Sequence, residues 1–378
     1  MKILIIIPDF PENLEDIKGG VQSALANLLK GFAIIDLNIR VITFSRSIKV
    51  ELLVKYSSTI DIIYCKEGSG LHLINYMLRN SFIIKRHIRE FNPDLVHFAM
   101  GGICLTTKIF GLHHIKQLVT IHGISFLEAR IIRNLRKKLA IYANEIIEHL
   151  LIPKNIIHIS NYSLDIKGQT KKICYTIIPN AVMPIYFDIA LKTNTDNRLI
   201  YIGAIDERKN ILLLLQTLYS LVQNGKFYYL EILGDFLAED YKNEILGYVK
   251  NKGLSKYIKF HGWVSQATVV EVLTSADILV VCSKQETLPM VIAEAMAAGK
   301  VVVSSDVGGV SEMITDGIDG FLFDLENGQK LYEILSKLYD NYDAIKLLEK
   351  HAKERAFATC NCEIVAKKTL AFYQRLTM

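Results

Sequence analysis

The chain has 378 residues, too many for one ordinary core and suited to two domains of about 100–200 residues each. At 51% hydrophobic and 22% charged, with a mean hydropathy of +0.25, it is not a disordered, collagen-like or small disulfide-stapled chain. Its net charge of +5 is uneven: residues 1–180 carry 23 Lys+Arg against 14 Asp+Glu, and residues 181–378 carry 21 against 25. A basic front and an acidic back suit two parts that meet different partners.

The chain opens on MKILIIIPDF, whose apolar run is too short for a secretory leader and is followed at once by Pro8, Asp9 and acidic residues. It reads as a buried first strand. No segment reaches the ~18 uncharged apolar residues that cross a bilayer. The six cysteines show no CxxC spacing and no histidine at metal-binding intervals, so a reduced, cytoplasmic chain without a resident metal or cofactor is expected.

Short runs of Val, Ile, Leu and Tyr predict strands at residues 2–7, 38–43, 95–97, 117–120, 156–159 and 175–178. After a Pro- and Asn-containing stretch (residues 179–197), further strands are predicted at 198–202, 228–233, 258–261, 278–281, 301–304 and 320–323. Amphipathic helices fall between them at 23–32, 211–223, 240–252, 266–275 and 289–298. Alternation of this kind predicts α/β architecture, parallel sheets covered on both faces. The expected domains are residues 1–182 and 183–361, with a final helix at about 362–378 that packs back onto the first.

Parallel sheets bind ligands at the carboxyl ends of their strands, and four such loops are chemically unusual. Gly19 and Gly20 open the first helix, where bare backbone amides can approach a phosphate; a tight turn explains them equally. His122 follows the strand at 117–120 beside Gly123. Arg208 and Lys209 sit on the turn after the strand at 198–202, placed to meet a diphosphate, although charged turns are common. The segment from Glu286 to Gly299 is the most specific. Pro289 suits a first helical turn, Met290 and Val291 offer free amides, and a core helix explains neither Glu286 nor Glu294. Another glycine-rich loop runs from Ser304 to Gly309, followed by Glu312.

These segments together resemble the retaining GT-B glycosyltransferases of family 4, which carry two Rossmann-like domains facing across a cleft and use nucleotide-sugar donors. Glu286 and Glu294 match that family's Glu-x7-Glu motif, followed here by Ala295-Met296-Ala297-Ala298-Gly299. The resemblance implies that Glu286 holds the donor sugar and Glu294 the ribose, with Leu288, Pro289, Met290 and Val291 on the turn between them. It assigns Lys209 to the diphosphate, Gly19 and Gly20 to the phosphate loop, and Trp263 and Val264 to the base pocket. His122 matches the histidine that reaches donor sugar or acceptor, and Asn180 the interdomain hinge. Ala204 departs from the pattern, standing where the family usually carries a diphosphate-binding arginine, and Val301 replaces a usual proline.

The implied reaction moves a hexose or N-acetylhexosamine, with retention, to a glycan or lipid-linked acceptor in surface polysaccharide, lipopolysaccharide or glycolipid biosynthesis. The absence of any Asp-x-Asp leaves no evident metal-binding carboxylate pair. Arg130, Arg133, Arg136, Lys137 and Lys138 interleave with apolar residues as in an interfacial helix, so contact with the inner face of an anionic membrane is expected; a helix facing the core explains the same pattern. Nucleic acid is not expected, because aromatics do not interleave with the basic residues. A GT-B sugar-nucleotide epimerase and a catalytically weak binding subunit remain alternatives.

Overall fold

The structure, a computed structural model, describes residues 1–13, 17, 19–67, 80–100, 115–123, 127, 138–139, 141–142, 152–167, 174–192 and 196–378. The chain divides into two units: unit 1 is Met1–Ala181 with Cys362–Met378, and unit 2 is Val182–Asn361.

The described strands of unit 1 are β1 (Lys2–Ile6), β2 (Asn38–Ser45), β3 (Leu52–Lys55), β4 (Ile60–Lys66), β5 (Leu95–Phe98), β6 (Lys116–Ile121), β7 (Asn155–His158) and β8 (Cys174–Ile177). They form one sheet in the order β3-β4-β2-β1-β5-β6-β7-β8. Helices α1 (Gly20–Ile34), α2 (Ser81–Phe91) and α3 (Asn161–Lys167) belong to this unit. The run of isoleucines in β1 is explained by two covered faces: Ile3 and Ile5 enter the core that includes Leu25 and Phe32 of α1, while Leu4 and Ile6 enter the one that includes Ile84 and Ile88 of α2. Each fully buried aliphatic side chain stabilises the fold by roughly 1.5–3 kcal/mol.

The sheet is not wholly parallel. β3 pairs antiparallel with β4, Leu52 opposite Tyr64 and Lys55 opposite Asp61, and forms an exposed edge. Neither strand is among those predicted from alternation with helices, because a short hairpin at a sheet edge needs no crossover helix.

Unit 2 carries β9 (Arg198–Ile202), β10 (Tyr229–Leu233), β11 (Ile258–Gly262), β12 (Ile278–Val281), β13 (Val301–Ser305) and β14 (Phe321–Phe323), in the order β11-β10-β9-β12-β13-β14, all parallel. Its helices are α4 (Pro184–Phe187), α5 (Ile211–Gln223), α6 (Glu239–Asn251), α7 (Gln266–Ser275), α8 (Met290–Ala297), α9 (Val310–Met313), α10 (Gly328–Tyr339) and α11 (Tyr342–Cys360). Alternate residues again divide between two cores: Leu199, Ile278 and Val280 on one face, Ile200, Leu279 and Val281 on the other.

The last helix, α12 (Cys362–Thr377), returns to unit 1 and packs along α1. Gly31 makes that approach possible, since a Cβ there would lie 2.1 Å from the Cys362 carbonyl oxygen. In both units the strand order reverses beside the first strand, between β1 and β5 and between β9 and β12. Those reversals open a crevice at the strands' carboxyl ends. Among the described residues, no helix is long and apolar enough to cross a membrane.

Candidate active site

In unit 2 the loops after β9 and β12 meet at the strand-order reversal. The Lys284 N–H donates to the Arg208 carbonyl (2.8 Å), and Arg208 Nη1 donates to the Gln285 carbonyl (3.2 Å). This stitching fixes the side chains that follow. Lys209 Nζ lies 2.5 Å from Glu286 Oε1, and Arg208 Nη1 lies 3.9 Å from Glu286 Oε2. Glu286 is only 7% exposed, which makes a desolvated carboxylate matched by two bases at the mouth of the sheet.

The turn carrying Lys209 is held by its own sequence. The Lys209 N–H donates to Asp206 Oδ1 (2.8 Å), and Asn210 takes a left-handed backbone (φ 52°) just before α5. A Cβ at Gly203 would meet only Tyr201 Oη (3.8 Å) and Lys209 Cε (3.9 Å) at ordinary contact, yet its φ of +147° disfavours any side chain there. Ala204, the departure from the family pattern, accepts a hydrogen bond on its carbonyl from the Tyr201 hydroxyl (2.8 Å).

Pro289 immediately precedes α8 with extended backbone, so Met290 and Val291 fall in the first turn, where amides have no partner within the helix. Thr287 and Leu288 complete the loop after Glu286, and Thr287 is buried. Glu294, one turn into α8, is 8% exposed. Two residues that sequence reading missed stand close to it. The buried Tyr186 of α4 has its hydroxyl pushed well up by burial and by the Glu294 charge, partly offset by a hydrogen bond from Gln266. Neither carries a motif signal, since Tyr186 reads as core and Gln266 as an exposed helix start.

Trp263 is 42% exposed, and its N–H is held by Asp235 Oδ1 (3.0 Å), while Val264 packs partly buried against the core on the α8 side. Unit 2 thus brings together Arg208, Lys209 and Glu286, and sets Glu294, Met290 and Val291 along α8.

Unit 1 holds the other predicted residues. Gly19 precedes α1 with extended backbone (φ −148°), and a Cβ there would meet nothing within 4 Å among the described residues. His122 follows β6, and the Asn180 side chain hydrogen-bonds to it. Burial outweighs that bond and holds the imidazole down at about 4, so His122 is neutral at physiological pH and can donate or accept a hydrogen bond without carrying charge.

Behind His122 lies a cavity of about 30 Å³, lined by His97, Thr120, Asn180 and Thr369 among others. His97 Nδ1 contacts the Tyr373 hydroxyl of α12 (2.6 Å) and Nε2 contacts Thr120 Oγ1 (2.7 Å); burial holds this imidazole neutral, at about 3. Arg130, Arg133, Arg136 and Lys137 lie outside the described residues. Of that predicted membrane patch, Lys138 is half-buried and the neighbouring Leu139 exposed.

Two family models match the chain, "Glycosyltransferase Family 4" over residues 18–183 and "Glycosyl transferases group 1" over residues 183–356. An uncharacterized glycosyltransferase of Methanocaldococcus jannaschii is 25% identical over 357 residues, 93% of each chain. A lipopolysaccharide 1,2-N-acetylglucosaminetransferase of Salmonella typhimurium is 31% identical over 178 residues, 45% of this chain and 46% of that one. The solved structure of HepE from Anabaena in complex with UDP-glucose matches in fold, with a TM-score of 0.76 over 99% of this chain and 100% of that one at 16% identity. The matched segments meet end to end near the observed division between the two units. The chain belongs to the group 1/family 4 glycosyltransferases and is a nucleotide-sugar-dependent transferase of GT-B fold.

Proposed function

We propose that this enzyme transfers a hexose or N-acetylhexosamine, with retention of anomeric configuration, from a nucleotide-sugar to a glycan or lipid-linked acceptor in surface polysaccharide, lipopolysaccharide or glycolipid assembly. The observation that carries the reading is the Lys209–Glu286 pair with Arg208 beside it, at the strand-order reversal of unit 2. The Salmonella transferase and the UDP-glucose complex of HepE support the class of acceptor and donor.

In this reading Lys209 and Arg208 meet the charge that develops on the leaving diphosphate, helped by the Met290 and Val291 amides and by Gly19 and Gly20. Arg208 supplies the guanidinium that Ala204 lacks. Glu286 accepts hydrogen bonds from the donor sugar and Glu294 from the ribose, with Leu288 and Pro289 shaping the turn between them. Trp263 and Val264 border the base, and neutral His122, steadied by Asn180, hydrogen-bonds the sugar or the acceptor. No described carboxylate besides the donor-binding acids suggests itself as a nucleophile. The acceptor oxygen therefore bonds the anomeric carbon on the face the diphosphate leaves, and its proton passes to the departing phosphate oxygen. Lys138 and Leu139 border the basic segment through which the protein would meet an anionic membrane.

Incubation with UDP-, GDP- and dTDP-sugars and a glycan acceptor, followed by NMR of the product, tests this. Retention at the new bond is expected, with no sugar isomerised when donor is supplied alone. An inverted product overturns the mechanism, and acceptor-independent isomerisation of the donor favours an epimerase.

A further inference from the structure

Unit 1 gathers three side chains that the linear sequence keeps apart. Cys65 lies near the end of β4, His87 on α2, and Glu51 immediately before the edge strand β3. Cys65 and His87 are each 1% exposed, whereas the Glu51 side chain is 39% exposed. Cys65 Sγ is 3.9 Å from His87 Nε2 and 4.0 Å from Glu51 Oε2, and those two atoms are 3.4 Å apart. A point about 2.2 Å from all three atoms therefore exists, against ~2.3 Å for Zn–S and ~2.0–2.2 Å for Zn–N and Zn–O bonds. Sulfur, imidazole nitrogen and carboxylate oxygen are together the donor set that borderline-soft divalent metals select.

The surroundings fit a ligand role for the imidazole. His87 Nδ1 is buried without a hydrogen bond, and Glu90 Oε2 lies 3.7 Å from it, close enough that a small side-chain shift would give the carboxylate–histidine arrangement that orients a metal-bound ring. Arg86 covers the acceptor face: its Nη2 hydrogen-bonds Glu51 and lies 3.2 Å from His87 Nε2. That side chain is half exposed, and its Nε is already 3.8 Å from Glu90, which gives it a second partner when it swings aside.

We propose that Glu51, Cys65 and His87 bind one divalent transition metal, zinc foremost, with solvent in the fourth position. The metal displaces the Arg86 guanidinium, takes the Cys65 thiol as thiolate with release of its proton, and pins the β3–β4 hairpin to α2. The linear spacing hid this grouping, because Cys65 and His87 are 22 positions apart and on different elements.

The test is a cobalt(II) titration of the full-length protein, followed by absorbance. One cobalt per chain is expected, with a thiolate-to-metal charge-transfer band and the visible bands of a tetrahedral ion, both removed by added zinc. Cys65→Ser should abolish the charge-transfer band, and Glu51→Gln, at an exposed position that leaves the fold intact, should weaken binding about tenfold or more. Arg86→Ala, which removes the competing cation, should tighten it. Absence of the charge-transfer band in the wild-type protein, or an affinity unchanged by Glu51→Gln, overturns the proposal and leaves Arg86 as the cation of an ordinary ion pair.

Discussion

Acidic and basic side chains face each other at both ends of the six-stranded sheet of unit 2, and the two ends are built differently. At the amino ends of the strands, Asp277 accepts from Lys192 Nζ (2.7 Å) and from the backbone N–H groups of Asp196 (3.1 Å) and Arg198 (2.8 Å). Lys192 also donates to the Ser275 carbonyl, and the fully buried Lys300 donates to the Thr274 carbonyl. Nearly every polar atom there is committed to the chain itself. At the carboxyl ends, Lys209 Nζ meets Glu286 alone among the described residues, and the Met290 and Val291 amides that open α8 have no partner within their helix. A closed network ties elements together, whereas a half-committed pair can exchange partners with a ligand. The difference lies in how many bonds are already made, not in which residues are present.

The largest expected effect separates those two ends. Glu286→Gln, which keeps the side chain's shape and an oxygen acceptor for Lys209, should lower transfer by a hundredfold or more, about the effect of removing one preorganised charge-stabilising group, while the melting temperature moves little. Asp277→Ala should do the reverse, costing about 3 kcal/mol because it removes the acceptor of the Asp196 and Arg198 N–H groups and one of the carboxylates that hold Lys192, with transfer per folded molecule unchanged. Initial rates and thermal unfolding on the same preparations decide it. A strongly destabilised Glu286→Gln, or an inactive but stable Asp277→Ala, would erase the distinction.

A smaller effect extends the comparison to unit 1. Two of its histidines stay neutral in the fold, His122 down to about 4 and His97 down to about 3, both through burial. Between those values and the ordinary histidine value of 6.5, the unfolded chain binds protons that the fold does not, so acid destabilises unit 1. Unit 2 responds with the opposite sign. Burial raises Glu349 to about 7 against the pull of Lys300, so the fold holds a proton between about pH 4.5 and 7 that the unfolded chain has lost. Its contribution therefore grows as pH falls through that window. Lys300, lowered by burial to about 8, adds stability only as pH rises beyond that value. Each contribution is of order 1–3 kcal/mol. Hydrogen exchange of peptides from each unit between pH 4.5 and 7 should show unit 1 losing and unit 2 gaining protection against global opening. Parallel slopes would contradict the assignment, and Glu349→Gln should flatten the slope of unit 2.

The smallest effect concerns Ala204. With Arg208 already beside Glu286, Ala204→Arg should change kcat/KM by no more than about 1 kcal/mol, while restoring part of what Arg208→Ala removes. A large gain from Ala204→Arg in the wild-type background would mean that Arg208 does not supply the missing charge.

Much of this molecule was legible in its sequence, for a physical reason. Strands buried on both faces are continuous apolar runs, so β9 and β12 fall at the predicted residues and most others within one or two positions. The hairpin β3–β4 escaped because its outer strand is half exposed and Asp61 interrupts the inner one. At the site, Glu286 and Glu294 were legible because a core helix explains neither acid, and Lys209 because it matches the family's diphosphate lysine on the turn after β9. What the sequence could not carry was pairing over distance. His97 and Tyr373 are 276 positions apart, the cavity behind His122 depends on a helix from the far end of the chain, and Tyr186 resembles any core tyrosine until Glu294 is placed beside it.

A crystal structure with a bound nucleoside diphosphate locates the donor directly. The expected result places the diphosphate within hydrogen-bond distance of Lys209 Nζ and the first-turn amides of α8, with the ribose hydroxyls on Glu294. A nucleotide bound away from Lys209 and α8, with the Lys209–Glu286 pair undisturbed, would contradict the assignment of unit 2 as the donor-binding half.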